Sequence, residues 1–193
     1  MDGHKCRVCE ISQIGIKGVH NLENAMAAAA AALLYGCDPS VIESALKKFT
    51  GLEHRLESVR DLDGVRYIND SKGTNVGAVI KSLESFNEPL LLIAGGRDKG
   101  SDFSPLRPLI KEKLKKLILI GEARDKIAEA VGGMTNTSFA SSLEEAVGIA
   151  HREAVKGDIV LLSPACASFD MFKNFEDRGR KFKEIVWKLT SSG

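Results

Sequence analysis

Three uninterrupted apolar runs constrain the fold of this chain more than any other feature. They lie at Leu90–Ala94, Leu117–Ile120 and Ile159–Leu162. Short runs without polar alternation are typical of strands that are buried on both faces of a sheet. Helical patterns separate these runs, and such alternation predicts a mostly parallel sheet with helices on both faces. We therefore predict an α/β fold.

Further patterns fill the rest of this α/β region. Residues 56–60 and 65–68 indicate a hairpin, because Asp61-Leu62-Asp63-Gly64 between them is a favourable turn sequence. The spacing Ser141-x-x-Glu144 predicts a capping box at the start of a helix. The predicted helices are Val76–Phe86, Leu106–Leu114, Asp125–Val131, Leu143–Val155 and a last one that carries Phe182 and Leu189.

The first 51 residues follow a different pattern. Residues 6–16 predict a short extended segment, and Asn21 and Pro39-Ser40 indicate the starts of two helices. One strand and two helices have too little surface to form a core of their own. We therefore expect residues 1–51 to be the end of another domain, and residues 52–193 to form the α/β domain.

Composition excludes several classes of protein. The chain has 27 Lys and Arg against 26 Asp and Glu, and therefore lacks the basic surplus of a nucleic-acid-binding protein. No apolar run approaches the roughly 20 residues that cross a bilayer, and the first residues lack the apolar core of a signal peptide. Four cysteines are too few for a disulfide framework. We expect a cytoplasmic protein with no nucleic-acid or membrane partner.

One pair of cysteines has half the spacing of a zinc site. Cys6 and Cys9 lie two residues apart with His4 upstream, but Cys37 and Cys166 stand alone and far along the chain. A strand near the start of the chain explains the same alternation. We therefore expect no metal site in this chain.

Polar residues collect after three of the predicted strands, in Asn69–Asn75, Gly95–Gly100 and Ser163–Ser168. Ligands of open α/β sheets bind beyond the carboxyl ends of the strands, and a helix N-terminus after each segment attracts anions. Lys72 and Lys99 add positive charge. The pattern predicts a site for a small polyanion such as a dicarboxylate or a phosphate. Each segment alone is also compatible with a helix cap or a tight turn, and no complete nucleotide-binding motif accompanies them.

Six motifs at these positions carry a resemblance to a known family. In order they are GVHNLEN at 18–24, FTGLEHRLE at 49–57, INDSKGTN at 68–75, GGRDKGSDF at 95–103, LSPACASFD at 162–170 and NFE at 174–176. The chain resembles the carboxy-terminal portion of the Mur ligases of bacterial peptidoglycan synthesis. The last two motifs are particular to the MurD branch, which adds D-glutamate to UDP-N-acetylmuramoyl-L-alanine. The first two are shared across Mur ligases and folylpolyglutamate synthetases.

The resemblance implies a Rossmann-like domain at residues 52–193, preceded by the end of the central ATPase domain at residues 1–51. It also implies the reaction. ATP phosphorylates the substrate carboxylate with the help of Mg²⁺, the amine of D-glutamate attacks the acyl phosphate, and an amide forms as phosphate leaves.

The resemblance further implies roles for individual residues, by matched position. Asn24 would contact the adenine, Arg55 the phosphates and Asp70 the ribose of ATP. The residues that would surround D-glutamate are Lys72, Thr74, Lys99, Ser168 and Phe175. Gly73 stands where alanine is common in the family, and we expect this difference to be tolerated in a loop.

Several groups of the family have no match in this chain: the phosphate-binding loop, the modified lysine, the magnesium ligands and the UDP-binding domain. We therefore expect the core catalytic groups to lie outside this chain, the chain alone to be inactive, and the missing N-terminal domains to be its partners. Two alternatives stay open. One is a non-catalytic module that binds an amino acid or phosphate, and the other is a fragment of a related Mur ligase or folylpolyglutamate synthetase, against which the motif at 163–168 argues.

Overall fold

The computed structural model describes residues 6–16, 19–131 and 133–191. The chain divides into two compact units, Met1–Leu52 and Glu53–Gly193. Throughout the described part of the chain, every helix is too short or too polar to cross a membrane.

The first unit is built on two helices, α1 (Val19–Leu34) and α2 (Pro39–Lys48). Asp38 caps α2, since its carboxylate accepts a hydrogen bond of 2.8 Å from the Ser40 amide. The prediction that Asn21 starts the first helix is wrong, because α1 already begins two residues earlier.

The predicted extended segment at residues 6–16 is also wrong. A short 3-10 helix at Ile11–Gln13 replaces it. The reason lies at Gly15, whose amide donates to the Leu46 carbonyl at 3.0 Å. A Cβ at Gly15 would lie 2.3 Å from the Phe49 carbonyl oxygen, so the segment packs through its backbone on the end of α2 and not along a strand.

The second unit contains a six-stranded sheet in the order β1-β2-β6-β3-β4-β5. Strand β1 is antiparallel to β2, and the other neighbours are parallel. The strands are β1 (Glu57–Leu62), β2 (Val65–Asn69), β3 (Leu90–Gly95), β4 (Leu114–Ile120), β5 (Asn136–Phe139) and β6 (Ile159–Leu162). The helices are α3 (Val76–Glu84), α4 (Arg107–Lys113), α5 (Arg124–Val131), α6 (Leu143–Glu153) and α7 (Phe175–Lys188).

The core of this unit has two halves, one on each face of the sheet. Successive side chains of a strand point to opposite faces. In β3, Leu92 therefore packs with α3, α4 and α5, whereas Leu91 and Ile93 pack with α6 and α7. The central strands are buried on both sides, as their apolar runs predict, and the predicted α/β fold with a mostly parallel sheet is confirmed.

The sequence analysis of this unit omits one strand and misplaces one helix cap. Strand β5 was not predicted, because its four residues, Asn-Thr-Ser-Phe, include three polar ones at the edge of the sheet. The capping box of α6 lies one residue later than its predicted position. Ser142 accepts from the Glu145 amide at 3.1 Å, and the Glu145 carboxylate accepts from the Ser141 amide at 2.7 Å.

The strand order determines where a ligand site can form. Strand β6 lies between β2 and β3, so the chain changes direction across the sheet at this point. Such a reversal separates the neighbouring loops and leaves a crevice at the carboxyl ends of the strands. The loops that follow β2, β3 and β6 are the three polar segments of the sequence.

Candidate functional site

Backbone hydrogen bonds join the three polar loops to one another. The amide of Ala165, after β6, donates to the carbonyl of Gly73, after β2, at 2.8 Å. Arg97 and Ala167 exchange two backbone hydrogen bonds, of 2.9 and 3.2 Å, between the loops after β3 and β6. The loop after β6 is therefore the centre of the site, and the other two loops are fixed to its sides.

Two glycines allow this close approach. A Cβ at Gly95 would lie 2.0 Å from the Ile120 carbonyl oxygen, and one at Gly96 would lie 2.3 Å from the Ala167 carbonyl oxygen. Both residues also have positive φ, 118° and 134°. Any side chain here would separate the loop after β3 from its neighbours, and the pair of glycines is a structural requirement of the site.

Asp70 is buried beneath the loop surface, with 4% of its area exposed. Its Oδ2 accepts hydrogen bonds from the hydroxyls of Ser163 at 2.6 Å and Ser82 at 2.7 Å, and its Oδ1 accepts from the Leu56 amide at 3.3 Å. Burial raises the pKa of this carboxyl, although the three hydrogen bonds oppose the rise. The carboxylate thus joins β2, α3 and the loop after β6.

The structure brings together two of the residues predicted to bind D-glutamate. The exposed Lys72 has its Nζ 4.1 Å from the centre of the Phe175 ring, a cation–π distance. Thr74 is half-buried in the same loop, and its amide donates to the Lys72 carbonyl at 2.8 Å. Ser168 is buried at the end of the central loop.

Two further predicted residues, Lys99 and Asn24, are exposed. Lys99 is exposed on the loop after β3, and the described contacts do not join it to Lys72. Its neighbour Asp98 anchors that loop by accepting from Lys126 Nζ at 2.6 Å and from the Ser101 amide at 2.9 Å. Asn24 is exposed on α1, in the first unit.

Arg55 lies on a segment that is bonded to the loop after β2. The preceding residue, His54, is buried with a positive φ of 67° and accepts at its carbonyl from the Lys72 amide at 3.0 Å. Its Nδ1 lies 2.9 Å from Asn69 Nδ2. Burial lowers the pKa of His54, although Glu53 and Glu57 oppose the change. The exposed Arg55 is thereby held beside Lys72.

The group Glu53, His54 and Glu57 has ligand atoms within 4.8 Å of one another, a spacing that suits a metal ion. A cation already lies there, because Lys183 Nζ is 2.6 Å from Glu53 and 2.8 Å from Glu57. Partial burial tends to lower the pKa of Lys183, but the hydrogen bonds to Glu53 and Glu57 outweigh this effect and raise the pKa. The cluster is an ion-pair network that fixes the segment of Arg55 to α7.

The sequence analysis assigned Phe175, the first residue of α7, to the site but did not single out Arg178 in the same turn. Arg178 is buried there, and it donates hydrogen bonds to the loops after β2 and β6. Gly179 follows it, and a Cβ at this position would lie 2.2 Å from His54 Nδ1. One signal was available in the sequence: Arg178 falls three residues after Phe175 and four before Phe182, on the apolar face of the helix.

Cys166 does not supply a nucleophile to this site. Its side chain is buried, and burial raises the pKa of the thiol to about 12. A thiol in this state stays protonated near neutral pH and is unreactive. The site instead offers positive charge from Lys72, Lys99 and Arg55, together with the aromatic ring of Phe175. This combination suits the binding of anions.

Comparison with known proteins identifies close relatives. Residues 54–166 match the family described as "Mur ligase, glutamate ligase domain". The UDP-N-acetylmuramoylalanine--D-glutamate ligase of Geotalea uraniireducens is 55% identical over 174 residues, which are 90% of this chain and 38% of that protein. The ligase of the same name from Pelotomaculum thermopropionicum is 53% identical over 191 residues, 98% of this chain and 42% of that protein. The chain spans about two fifths of the length of these curated relatives.

Solved structures share the fold at lower identity. A pseudomurein peptide ligase type C from Methanothermus fervidus has a TM-score of 0.70 at 21% identity, covering 90% of this chain and 36% of that one. The MurF ligase of Thermotoga maritima, in complex with ADP, has a TM-score of 0.61 at 18% identity, covering 88% and 39%. At these identities the likeness shows the fold alone. Because the family match covers more than half of its residues, this chain belongs to the Mur ligase family.

Proposed function

We propose that this chain is the D-glutamate-accepting part of an ATP-dependent ligase that adds D-glutamate to UDP-N-acetylmuramoyl-L-alanine in peptidoglycan synthesis. One observation carries the proposal. Lys72 lies over Phe175 where the joined loops meet α7, in a chain that is 55% identical to a D-glutamate ligase. The same identity argues against a folylpolyglutamate synthetase or a non-catalytic binding module.

D-Glutamate suits the charges of these loops. The amino acid carries two carboxylates, and we assign them to the exposed ammonium groups of Lys72 and Lys99. Thr74, in the loop of Lys72, and Ser168, in the loop after β6, would contribute hydroxyls. The Phe175 ring packs against the methylene groups of the substrate and holds the Lys72 ammonium at its face.

We assign the nucleotide to a neighbouring part of the site. Arg55 is exposed beside Lys72 and would pair with the phosphates, while Asn24 would meet the adenine. Asp70 would accept from the ribose through Oδ1, whose bond from the Leu56 amide, at 3.3 Å, is the longest of its three. The ADP bound to the Thermotoga maritima relative supports a nucleotide in this family.

The reaction then proceeds in two steps. A carboxylate oxygen of UDP-N-acetylmuramoyl-L-alanine attacks the γ-phosphorus of ATP, and ADP leaves. The neutral amine of D-glutamate next attacks the acyl carbon, loses a proton as the amide forms, and expels phosphate. Lys72 and Lys99 would hold the acceptor by its carboxylates so that the amine stays free to attack.

Other parts of the ligase complete this chemistry in our proposal. When bound, Mg²⁺ neutralises charge on the transferring phosphoryl group. We propose that its ligands and the phosphate-binding loop belong to the portion of the relatives that this chain does not match, so that this chain alone is inactive. Residues 1–51 would be the end of the central ATP-binding domain, and residues 52–193 would belong to the acceptor domain. We also propose a cytoplasmic location, where ATP is available.

A titration by NMR tests the acceptor site. The ¹⁵N-labelled chain would be titrated with D-glutamate and, in parallel, with L-glutamate. We expect saturable shifts at Lys72, Lys99 and Ser168 with the D-isomer alone. Lys72→Ala and Lys99→Ala should each raise the Kd at least tenfold, since each removes a charge that pairs with a carboxylate.

The matched control is Lys111→Ala, which removes an exposed lysine from α4 and should leave the Kd unchanged. Equal binding of the two isomers would contradict the proposed specificity. Undiminished binding by both Lys72→Ala and Lys99→Ala would show that the residue assignment is wrong.

A further inference from the structure

Arg178 is the largest side chain that is fully enclosed in the described part of this protein, with 1% of its area exposed. Its Nε donates to Ser71 Oγ at 3.0 Å, and its Nη2 donates to the Ser71 carbonyl at 2.9 Å. Both terminal nitrogens also lie 3.3 Å from the Cys166 carbonyl oxygen. The guanidinium thus makes four hydrogen bonds, all to two residues of the site loops.

A buried charge of this kind is costly for folding. Burial lowers the pKa of Arg178 to about 10, so the group keeps its charge at neutral pH inside the protein. Its hydrogen-bond partners in the described structure are a hydroxyl and carbonyl oxygens, and not a carboxylate. Apolar side chains of similar volume often stabilise a fold as well as or better than buried ions. Stability alone therefore does not explain an arginine at this position.

The two residues that Arg178 holds are placed next to the proposed acceptor residues. Ser71 precedes Lys72 in the loop after β2, and Cys166 lies two residues before Ser168 in the loop after β6. Ser71 Oγ also donates to the Phe175 carbonyl at 2.8 Å, at the start of α7. One guanidinium therefore connects the backbone of both loops with the helix that carries the Phe175 ring.

We propose that Arg178 is a positioning residue that fixes the loops after β2 and β6 in one arrangement and so sets the distance between Lys72 and Ser168. The consequence for D-glutamate rests on the proposed function. The fixing of the loops does not, because it follows from hydrogen bonds within the chain. The planar guanidinium group of arginine is essential to this role, since its several N–H donors reach a hydroxyl and two carbonyl oxygens at once.

Lysine at this position would keep the positive charge but would lack the planar set of guanidinium N–H donors. Arg178→Lys is therefore the decisive variant, and Val186→Ala is its matched control. Val186 is fully buried in the same helix and belongs to the apolar core on the face of the sheet that α6 and α7 cover, and its side chain makes no hydrogen bond. The control weakens α7 without removing a hydrogen bond to the site.

Amide hydrogen exchange of the whole chain gives a readout that needs no ligand. The reporters are the amides of Lys72 and Gly73 in one loop and of Ala165 and Ala167 in the other, all of which are hydrogen-bonded. We expect Arg178→Lys to accelerate exchange at these amides at least tenfold relative to amides of β3. Val186→Ala should accelerate exchange in α7 and leave the loops unaffected relative to β3.

Unchanged loop exchange in Arg178→Lys would overturn the proposal, as would equal acceleration of both loops by Val186→Ala. If Arg178→Lys does not fold, Ser71→Ala replaces it. This milder change removes the Oγ that accepts from Arg178 and donates to Phe175. It should accelerate exchange at Lys72 and Gly73 several-fold, and normal exchange there would equally overturn the proposal.

A D-glutamate titration of the same variants separates this inference from the proposed function. Arg178→Lys should raise the Kd for D-glutamate at least tenfold, and Val186→Ala should not. If the loops loosen in Arg178→Lys while the wild-type chain binds D-glutamate elsewhere, the positioning role stands and the assigned function fails. If the wild type binds at the loops and Arg178→Lys binds equally well with unchanged exchange, the function stands and the positioning role fails.

Discussion

At the scale of single residues, Asp70 shows how burial and hydrogen bonding oppose each other in this site. The carboxyl group is nearly enclosed, and burial raises its pKa. The hydroxyls of Ser163 and Ser82 donate to the charged form and limit that rise. The result is a carboxyl group whose position is fixed by hydrogen bonds within the chain.

This raised pKa predicts a pH dependence of stability. Because the pKa of Asp70 is higher in the folded protein than in the unfolded chain, where it is about 3.9, folding favours the protonated form. The contribution of Asp70 to stability is therefore greatest below pH 4 and is lost as the pH rises through the folded-state pKa. Urea unfolding of the wild type and of Asp70→Asn, from pH 3.5 to about 7, measures this contribution as a difference.

We expect the free energy of unfolding of the wild type to fall relative to that of Asp70→Asn as the pH rises. Asparagine has a similar shape and does not titrate, so other groups cancel in the comparison. A difference that stays constant, or that grows with pH, would mean that the hydrogen bonds of Asp70 outweigh its burial.

Gly73 illustrates what a loop motif does not reveal at this scale. The sequence analysis expects glycine to be tolerated where alanine is common in the family, and the structure adds that Gly73 is buried against the carboxyl of Asp70. A Cβ there would lie 2.6 Å from Asp70 Oδ2 and 2.7 Å from Ser163 Oγ. Motif spacing showed which residues carry charge, but these contacts depend on how β2 and β6 are paired.

At the scale of elements, α7 holds the segments of the site in place through hydrogen bonds, ion pairs and packing. Its first turns hold the loops after β2 and β6 through Arg178, and Lys183 holds the segment of Arg55 through Glu53 and Glu57. Between these contacts, Gly179 lets the His54 ring pack directly on the helix. The helix therefore fixes three segments that the proposed function uses.

Gly179→Ala tests this packing. The added Cβ would lie 2.2 Å from His54 Nδ1, so the ring must move, and we expect the free energy of unfolding to fall by about 1–3 kcal/mol, the usual cost of overpacking. Chemical denaturation followed by circular dichroism measures it. The exchange of the Lys72 amide, which donates to His54, should also accelerate.

The control is Gly148→Ala, a glycine in the interior of α6 with Arg152 Nη1, at 3.5 Å, as its nearest neighbour. There the gain in helix propensity should stabilise the protein by roughly 0.5–1 kcal/mol. If both alanine variants change stability in the same direction and by the same amount, contact with His54 has no special cost.

Elements differ in how well sequence predicts them, for physical reasons. Strands β3, β4 and β6 were predictable because burial on both faces demands continuous apolar runs. Strand β5 was not, since an edge strand of four residues with polar side chains has no distinct pattern. The helices of the α/β unit followed from their apolar periodicity. The role of α7 depends on long-range contacts, which periodicity does not show.

At the scale of the whole molecule, two compact units make up a chain that matches about two fifths of its curated relatives. Both halves of the α/β core lie within the second unit, which contains the loops and all the proposed D-glutamate residues. We therefore expect acceptor binding to be a property of this unit, and turnover to require the rest of the ligase.

A fusion protein tests the central claim most directly. The part of the Geotalea uraniireducens ligase that precedes the matched region would be joined to this chain, and phosphate release from ATP measured with UDP-N-acetylmuramoyl-L-alanine. We predict release that depends on D-glutamate, is absent with L-glutamate, and falls at least a hundredfold in Lys72→Ala. A folded fusion that binds ATP but releases phosphate only with a different amino acid, or with none, would contradict the account.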